Sequence, residues 1–508
     1  MKKFVLSTLV LALSMSMAAQ QPQPLPVDSA VRVGKLENGL TYYIRHNEYP
    51  KQRAEFHIAQ AVGAILEEDH QNGLAHFLEH MAFNGTEHFA GKGIIEYFES
   101  IGVNFGGNIN AYTSLDETVY RLSEVPTTRE GIIDSALLVM HDWACGLLLL
   151  EEEIDNERGV IREEWRTGMG ASRRMWKNSN MLKYPGSRYA KRDVIGDTAV
   201  INNFEYDALR DYYKKWYGPD NQAIIVVGDI DVDQIEQKIK ALWADVPARE
   251  NRGERPLYSV DDNQEPIVAI VRDKEAQNTR IELEFKKDKL PQMLRGTDAA
   301  YTMDLALNLI CSMLNNRFAE LSIDPNASFT GAGSYYSELV KEKDAFVAIY
   351  IAKQGLEKQA YKDLLAQLEK MRRYGFTTSE LERVKKEWLA AYEKAYNERT
   401  TVRNISRAQE CIRHYLDGAP MPGEEWEYQV VQQLLPMISV DMLNQMAQQL
   451  ITDENLVICF QAPQDKKVVL PTEEEAVALL ASVKDEEIEA PVEEAIRENL
   501  VETAPKAG

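Results

Sequence analysis

The sequence predicts an α+β fold of two similar domains, each a mixed or antiparallel sheet backed by helices. Three observations carry that expectation. The chain has 508 residues, more than the roughly 250–300 that one hydrophobic core usually organises. Short alternating or wholly apolar runs, which suit strands, are interleaved with longer runs whose apolar residues recur at helical spacing. From Glu265 onward, the order of these runs loosely repeats the order seen before Pro256. Composition agrees with large cores: 44% of residues are hydrophobic, and 28 Gly and 19 Pro leave the chain neither collagen-like nor broadly disordered. The formal charge of −23, from 57 basic and 80 acidic residues, argues against nucleic acid, since phosphate backbones are bound by clustered Lys and Arg.

Residues 1–19, MKKFVLSTLVLALSMSMAA, hold two lysines, an apolar run of about a dozen residues and then small residues, the pattern of a cleaved secretory signal. The run is shorter than the ~18 residues of a bilayer span, and no later stretch is long and apolar enough to be one. The expected product is exported, most simply to the periplasm, with no membrane span after signal removal.

The first domain is expected over residues 27–255. Leu40 to Arg45 and Phe56 to Val62 alternate like strands. A helix over Leu74 to Phe83 stops at Asn84-Gly85, and a shorter one covers Ile94 to Ile101. Asn110 to Ser114 and Thr118 to Ser123 read as paired strands turning near Leu115-Asp116. Helical spacing covers Ile132 to Leu150, Ile154 to Arg173, Tyr206 to Trp216 and Val232 to Trp243, with a buried strand, Ala223 to Val227, between the last two. The second domain, 256–470, is expected to run through strands Ile267 to Arg272 and Thr279 to Phe285, a helix over Asp298 to Leu321, strands near Ser334 to Glu338 and Ala345 to Lys353, helices to Leu450, and the strand Leu456 to Gln461. Residues 471–508 carry eleven acidic and three basic residues and read as an acidic linker or tail. Cys145, Cys311, Cys411 and Cys459 are too widely spaced for a metal knuckle. Cys145 and Cys459 lie in apolar segments and are expected as buried free thiols.

Six of the eight histidines fall between His46 and His88, and two of them stand in His76-Phe-Leu-Glu79-His80. On a helix, positions 76, 79 and 80 share an arc of about 100°. One face therefore presents two imidazoles and a carboxylate. Imidazoles at i and i+4 can chelate one zinc ion, and Glu79 between them can reach a metal-bound water as general base. This is the inverted zinc-peptidase motif.

The surrounding run, Gly73-Leu-Ala-His76-Phe-Leu-Glu79-His80-Met-Ala-Phe-Asn-Gly-Thr86, resembles the pitrilysin/insulinase family of zinc endopeptidases. Three further blocks agree: Asn110-Ala-Tyr-Thr113 with Thr118-Val-Tyr120, Glu157-Arg-Gly-Val-Ile161 with Glu163-Glu164-Trp165, and Trp216-Tyr217 leading into Ile225-Val-Val-Gly228-Asp229. The likeness is close over the first domain and holds in outline over the second. It implies one half of a clamshell and one Zn2+ per chain. It also implies a third, carboxylate ligand. The separation usual in the family lands on Glu157, whereas the local pattern Glu-Arg-x-Val-x-x-x-Glu lands on Glu164. The pattern is favoured: Glu164 is the expected ligand, Glu157 the second choice and otherwise a carboxylate that orients the site, sharing a helix face with it. By the same resemblance Asn110, Ala111 and Thr113 belong to an edge strand that holds substrate as an added strand, with Phe83 also at the substrate.

Active members of the family also supply an arginine and, seven residues on, a tyrosine from a later domain. Here the corresponding positions are Ser322 and Phe329, and no such Arg and Tyr pair occurs between residues 255 and 480. The resemblance thus implies a zinc endopeptidase acting on peptides or unfolded polypeptide, completed by a C-terminal half or homologous subunit that brings the Arg and Tyr. The alternative is a non-catalytic or partner-dependent subunit.

Overall fold

The structure, a computed structural model, describes residues 22–244, 246–248 and 254–493. The expected signal at 1–19 and residues 494–508 of the expected tail lie outside the described residues. Six strands form the first sheet: β1 (Val31–Lys35), β2 (Thr41–His46), β3 (Arg53–Gln60), β4 (Ile109–Thr113), β5 (Thr118–Pro126) and β6 (Gln222–Gly228), in the spatial order β1-β2-β6-β3-β5-β4. Five form the second: β7 (Ile267–Asp273), β8 (Thr279–Asp288), β9 (Phe329–Val340), β10 (Lys343–Ala352) and β11 (Leu456–Pro463), in the order β7-β11-β8-β10-β9. The pairs β2–β6 and β7–β11 are parallel, and the others are antiparallel. Without the short edge strand β1, the two sheets have one topology, with β2 to β6 in the places of β7 to β11. The repeat in the order of apolar runs is therefore also a repeat in strand pairing.

Central strand β6, QAIIVVG, shows why its run is apolar throughout. Ile224 and Val226 point into one buried cluster, and Ala223, Ile225 and Val227 into another. With both faces covered, no polar alternation is needed. Behind one face lie α1 (Leu74–Met81) and α2 (Ile132–Cys145), with α3 (Glu151–Gly168) packed on α1. The layers then cross over. Helix α4 (Ala171–Lys183) packs on β7 and β11 of the second sheet, α5 (Asp298–Ser322) lies behind β9, and α6 (Asn404–Asp417) returns to cover β3 and β6 of the first. Ala408, Cys411 and Ile412 of α6 thereby join Tyr43, Ala59 and Ile225 in one core. A buried ion pair secures α4, with Lys183 Nζ 2.8 Å from both the Glu282 and Glu284 carboxylates of β8. The two sheets fall on either side of residue 256, but each is covered by a helix from the other side.

Several expectations are corrected. Strand β1 was not apparent in the sequence because its side chains are mostly exposed and carry no clear period. The helix expected to continue to Leu150 ends at Cys145. Beyond it, Glu87 N–H is bonded to Gly146 O and Leu147 forms a bridge with Thr86. The helix expected to reach Arg173 breaks at Gly168, and α4 starts anew after Gly170. Cys145 is exposed at the end of α2; Cys459 is buried as expected. The described part of the expected acidic tail is a docked element. Thr472 caps α7 (Glu473–Val483) in a reciprocal capping box, Ala476 and Val483 enter the second core, and Arg373 donates to the carbonyls of Val483, Lys484 and Glu486. Among the described residues, no helix is long and apolar enough to cross a membrane.

Candidate metal centre and active site

Helix α1 begins at Gly73, whose φ of 104° lies in the left-handed region that favours glycine. A glycine offers no capping side chain, and Glu67 supplies one from the preceding loop. Its carboxyl accepts Ala75 N–H at 2.8 Å and Gly73 N–H at 3.0 Å. Burial pushes the Glu67 carboxyl up to about 8, against the pull of those N–H groups and of Arg192 and Arg188. Leu74, Phe77, Leu78 and Met81 enter the core, so His76, Glu79 and His80 occupy the remaining face, toward α3.

Three donors converge there. The imidazole nitrogens of His76 and His80 and a carboxylate oxygen of Glu164 all lie within 4.8 Å of one another. His76 Nε2 stands 3.6 Å from Glu164 Oε1, and His80 Nε2 3.3 Å from Glu164 Oε2. Zinc bonds of about 2.1 Å at tetrahedral angles place donors roughly 3.4 Å apart, so the set fits a zinc ion. Glu157, two turns earlier on α3, meets the other side of His80: Nδ1 donates to Glu157 Oε1 at 2.8 Å. Burial and the nearby His80 pull the His76 imidazole down to about 4, leaving its lone pair available at neutral pH. At His80 burial also pulls down, but Glu157 and Glu164 outweigh it and hold the ring up at about 9. In turn His80 lowers both carboxyls, against the effect of burial at Glu157. Metal uptake therefore competes with a proton on His80.

Glu79 is buried beside this set, and burial raises its carboxyl above the ordinary range, against the Thr113 hydroxyl that donates to its Oε2. Thr113 ends β4, the outer strand of the sheet next to the site. Asn110, on the same strand, accepts Ala111 N–H at 2.7 Å on its own side chain and donates to Gly106 O at 2.7 Å. Phe83 belongs to the buried core beside the motif helix. It is 7% exposed and packs edge-on against Trp143 and Phe105. Phe105, half exposed, is the outward-facing aromatic ring. Sequence reasoning missed three contributors: Glu67, Asn84 beneath Glu157, and Arg413 of α6, which donates to Tyr112 Oη at 3.0 Å and Glu117 Oε1 at 2.6 Å across the β4–β5 turn. Only Asn84 left a local signal, as part of the motif run.

A family model described as Insulinase (Peptidase family M16) matches residues 43–171, and one described as Peptidase M16 inactive domain matches residues 203–387. A protein described as zinc protease PQQL-like from Arabidopsis thaliana is 30% identical over 478 residues, 94% of this chain and 46% of that protein. The chain belongs to the pitrilysin/insulinase family of zinc metallopeptidases. Among solved family members, the first half of the periplasmic protease PqqL from Escherichia coli matches with a TM-score of 0.84 at 27% identity, over 92% of this chain and 100% of that one. The longer PqqL structure matches at 0.86 and 27% identity, over 95% of this chain and 53% of that one. The chain spans about half the length of these longer family members. The match to an inactive domain has a visible counterpart: α5 holds, between β8 and β9, the place that α1 holds between β3 and β4, and it contains no histidine.

Proposed function

We propose that this chain is the metal-bearing half of an exported, periplasmic zinc endopeptidase that hydrolyses peptides or unfolded protein segments. The observation that carries the reading is the convergence of His76, His80 and Glu164 within 4.8 Å, with Glu79 on the same face of α1 and an outer strand beside it. His76, His80 and Glu164 would hold one zinc ion. When bound, zinc supplies Lewis acidity that lowers the pKa of water and polarises a peptide carbonyl. Glu79 takes the proton of the attacking water on Oε1, because Oε2 is engaged by Thr113, and passes it to the leaving amine. Its burial makes it a stronger base than an exposed carboxylate. An extended peptide added along β4 would be bound mainly through its backbone, which suits varied sequences. The location is supported by the likeness to the periplasmic protease PqqL from Escherichia coli.

Ser322 and Phe329 favour a form of this reading in which activity depends on a second half. Ser322 ends α5, and Phe329 is buried at the start of β9 against Tyr350. Neither position offers the family's substrate-holding Arg or Tyr, which a C-terminal half or homologous subunit would bring. The test pairs metal analysis with peptide cleavage, with and without an added second half. We expect one zinc per chain and cleavage abolished by Glu79→Gln. Purified protein without stoichiometric zinc, or full cleavage by Glu79→Gln, would overturn the proposal.

A further inference from the structure

The hydrogen bonds behind His80 do not end at Glu157. Asn84, just past α1, is 2% exposed, and its Nδ2 donates to Glu157 Oε2 at 2.6 Å. Its Oδ1 accepts from the Nζ of Lys92, which stands immediately before the short helix Gly93–Glu99. A chain of four groups thus runs from an exposed ammonium to a half-buried imidazole: Lys92, Asn84, Glu157, His80. Its direction is set by chemistry. An ammonium can only donate and a carboxylate can only accept. The amide between them therefore has one satisfactory orientation, oxygen toward Lys92 and nitrogen toward Glu157. Both Glu157 oxygens are then occupied, one by Asn84 and one by His80 Nδ1, and the carboxylate cannot swing away. With Nδ1–H held there, His80 presents Nε2 toward Glu164.

We propose that Asn84 and Lys92 are positioning residues of the metal centre. They lock Glu157, and through it the ring orientation and tautomer of His80, and so tighten zinc binding at His76, His80 and Glu164. The proposal rests on the metal reading given above. His76 provides a contrast within the same site: its Nδ1 is buried without a hydrogen-bond partner, so orientation by hydrogen bonding falls on His80.

The test is zinc affinity of the full chain by competition with a chromogenic chelator, with the visible spectrum of the cobalt(II)-substituted protein as a readout of ligand geometry. Replacing a group that orients a metal ligand typically weakens binding 10–100-fold. Asn84→Leu, which removes both bonds, is expected in that range. Lys92→Met, at an exposed position that leaves folding intact, is expected to weaken binding by about 10-fold, at the low end of that range. Lys92→Arg should restore affinity, and both weakened variants should shift the cobalt spectrum. In a Glu157→Gln background, Lys92→Met should change nothing further, because it acts through that carboxylate. Wild-type affinity and an unchanged spectrum in Lys92→Met, or an equal loss in the Glu157→Gln background, would overturn the relay alone. Failure of the wild-type chain to bind zinc would overturn the metal reading and the relay together.

Discussion

Gly196 and Gly73 meet back to back at the start of α1, both with positive φ, 83° and 104°. A Cβ added to Gly196 would stand 2.3 Å from Gly73 Cα and 2.5 Å from Asn72 O. Those are backbone atoms, so nothing can rotate away. Two effects add in Gly196→Ala. Left-handed backbone costs a residue with a Cβ about 1 kcal/mol, and forcing packed groups apart costs about 1–3 kcal/mol. The expected destabilisation is therefore about 2–4 kcal/mol. Gly131 separates the two effects: its φ is 77°, but its Cβ position has nothing within 4 Å. Gly131→Ala should lose only about 1 kcal/mol. Thermal unfolding followed by circular dichroism should show a fall in Tm of roughly 5–15 °C for Gly196→Ala against 2–4 °C for Gly131→Ala, at 2–4 °C per kcal/mol. Because the displacement lands at the first turn of α1, zinc affinity should fall in the first variant alone. Equal Tm losses, or a destabilised Gly196→Ala that binds zinc as the wild type does, would refute the reasoning.

Three further outcomes follow from the same structure. Arg413→Ala removes the guanidinium that ties α6 to the bonded pair Tyr112 and Glu117 at the β4–β5 turn, so amide exchange along β4, at residues 110–113, should accelerate while β6 stays protected; uniform protection would refute the clamp. Glu67 has a folded pKa raised from 4.5 to about 8 by burial, so the unfolded chain releases its proton first and ionisation weakens the fold. Its stabilising contribution is complete below pH 4.5 and lost as pH rises to about 8. Relative to Glu67→Gln, which cannot ionise, the wild type should therefore lose Tm between pH 5 and pH 9, and a pH-independent difference would contradict this. Finally, since Cys145 is exposed and Cys311, Cys411 and Cys459 are buried, a thiol reagent should label one cysteine per native chain and all four only after unfolding; labelling of Cys459 at the same rate as Cys145 would count against the burial described.

The sequence by itself determined what depends on near neighbours. The spacing of His76, Glu79 and His80 sets one chemical face on one short helix. The apolar runs set strands that are covered on both sides, as in β6, and their order shows the internal repeat. Elements whose neighbours lie elsewhere were not legible. Val31–Lys35 is a strand because β2 pairs with it, and the acidic stretch Glu473–Val483 is docked because Arg373 meets the carbonyls at its end and a core receives Ala476 and Val483. Cys145 sits in an apolar stretch but at the exposed end of its helix.

Other features were settled only by tertiary structure, for one physical reason: they depend on side chains that approach from distant segments. Glu157 and Glu164 share a face of α3, so their spacing could not assign them different surroundings. The packing of α3 on α1 puts Glu164 between the two Nε2 atoms and Glu157 on His80 Nδ1. The same holds for Phe83, which Phe105 and Trp143 bury, and for Arg413, which reaches the outer strand from 301 residues along the chain. Local spacing chose the chemistry, and the crossing of the layers decided which groups surround it.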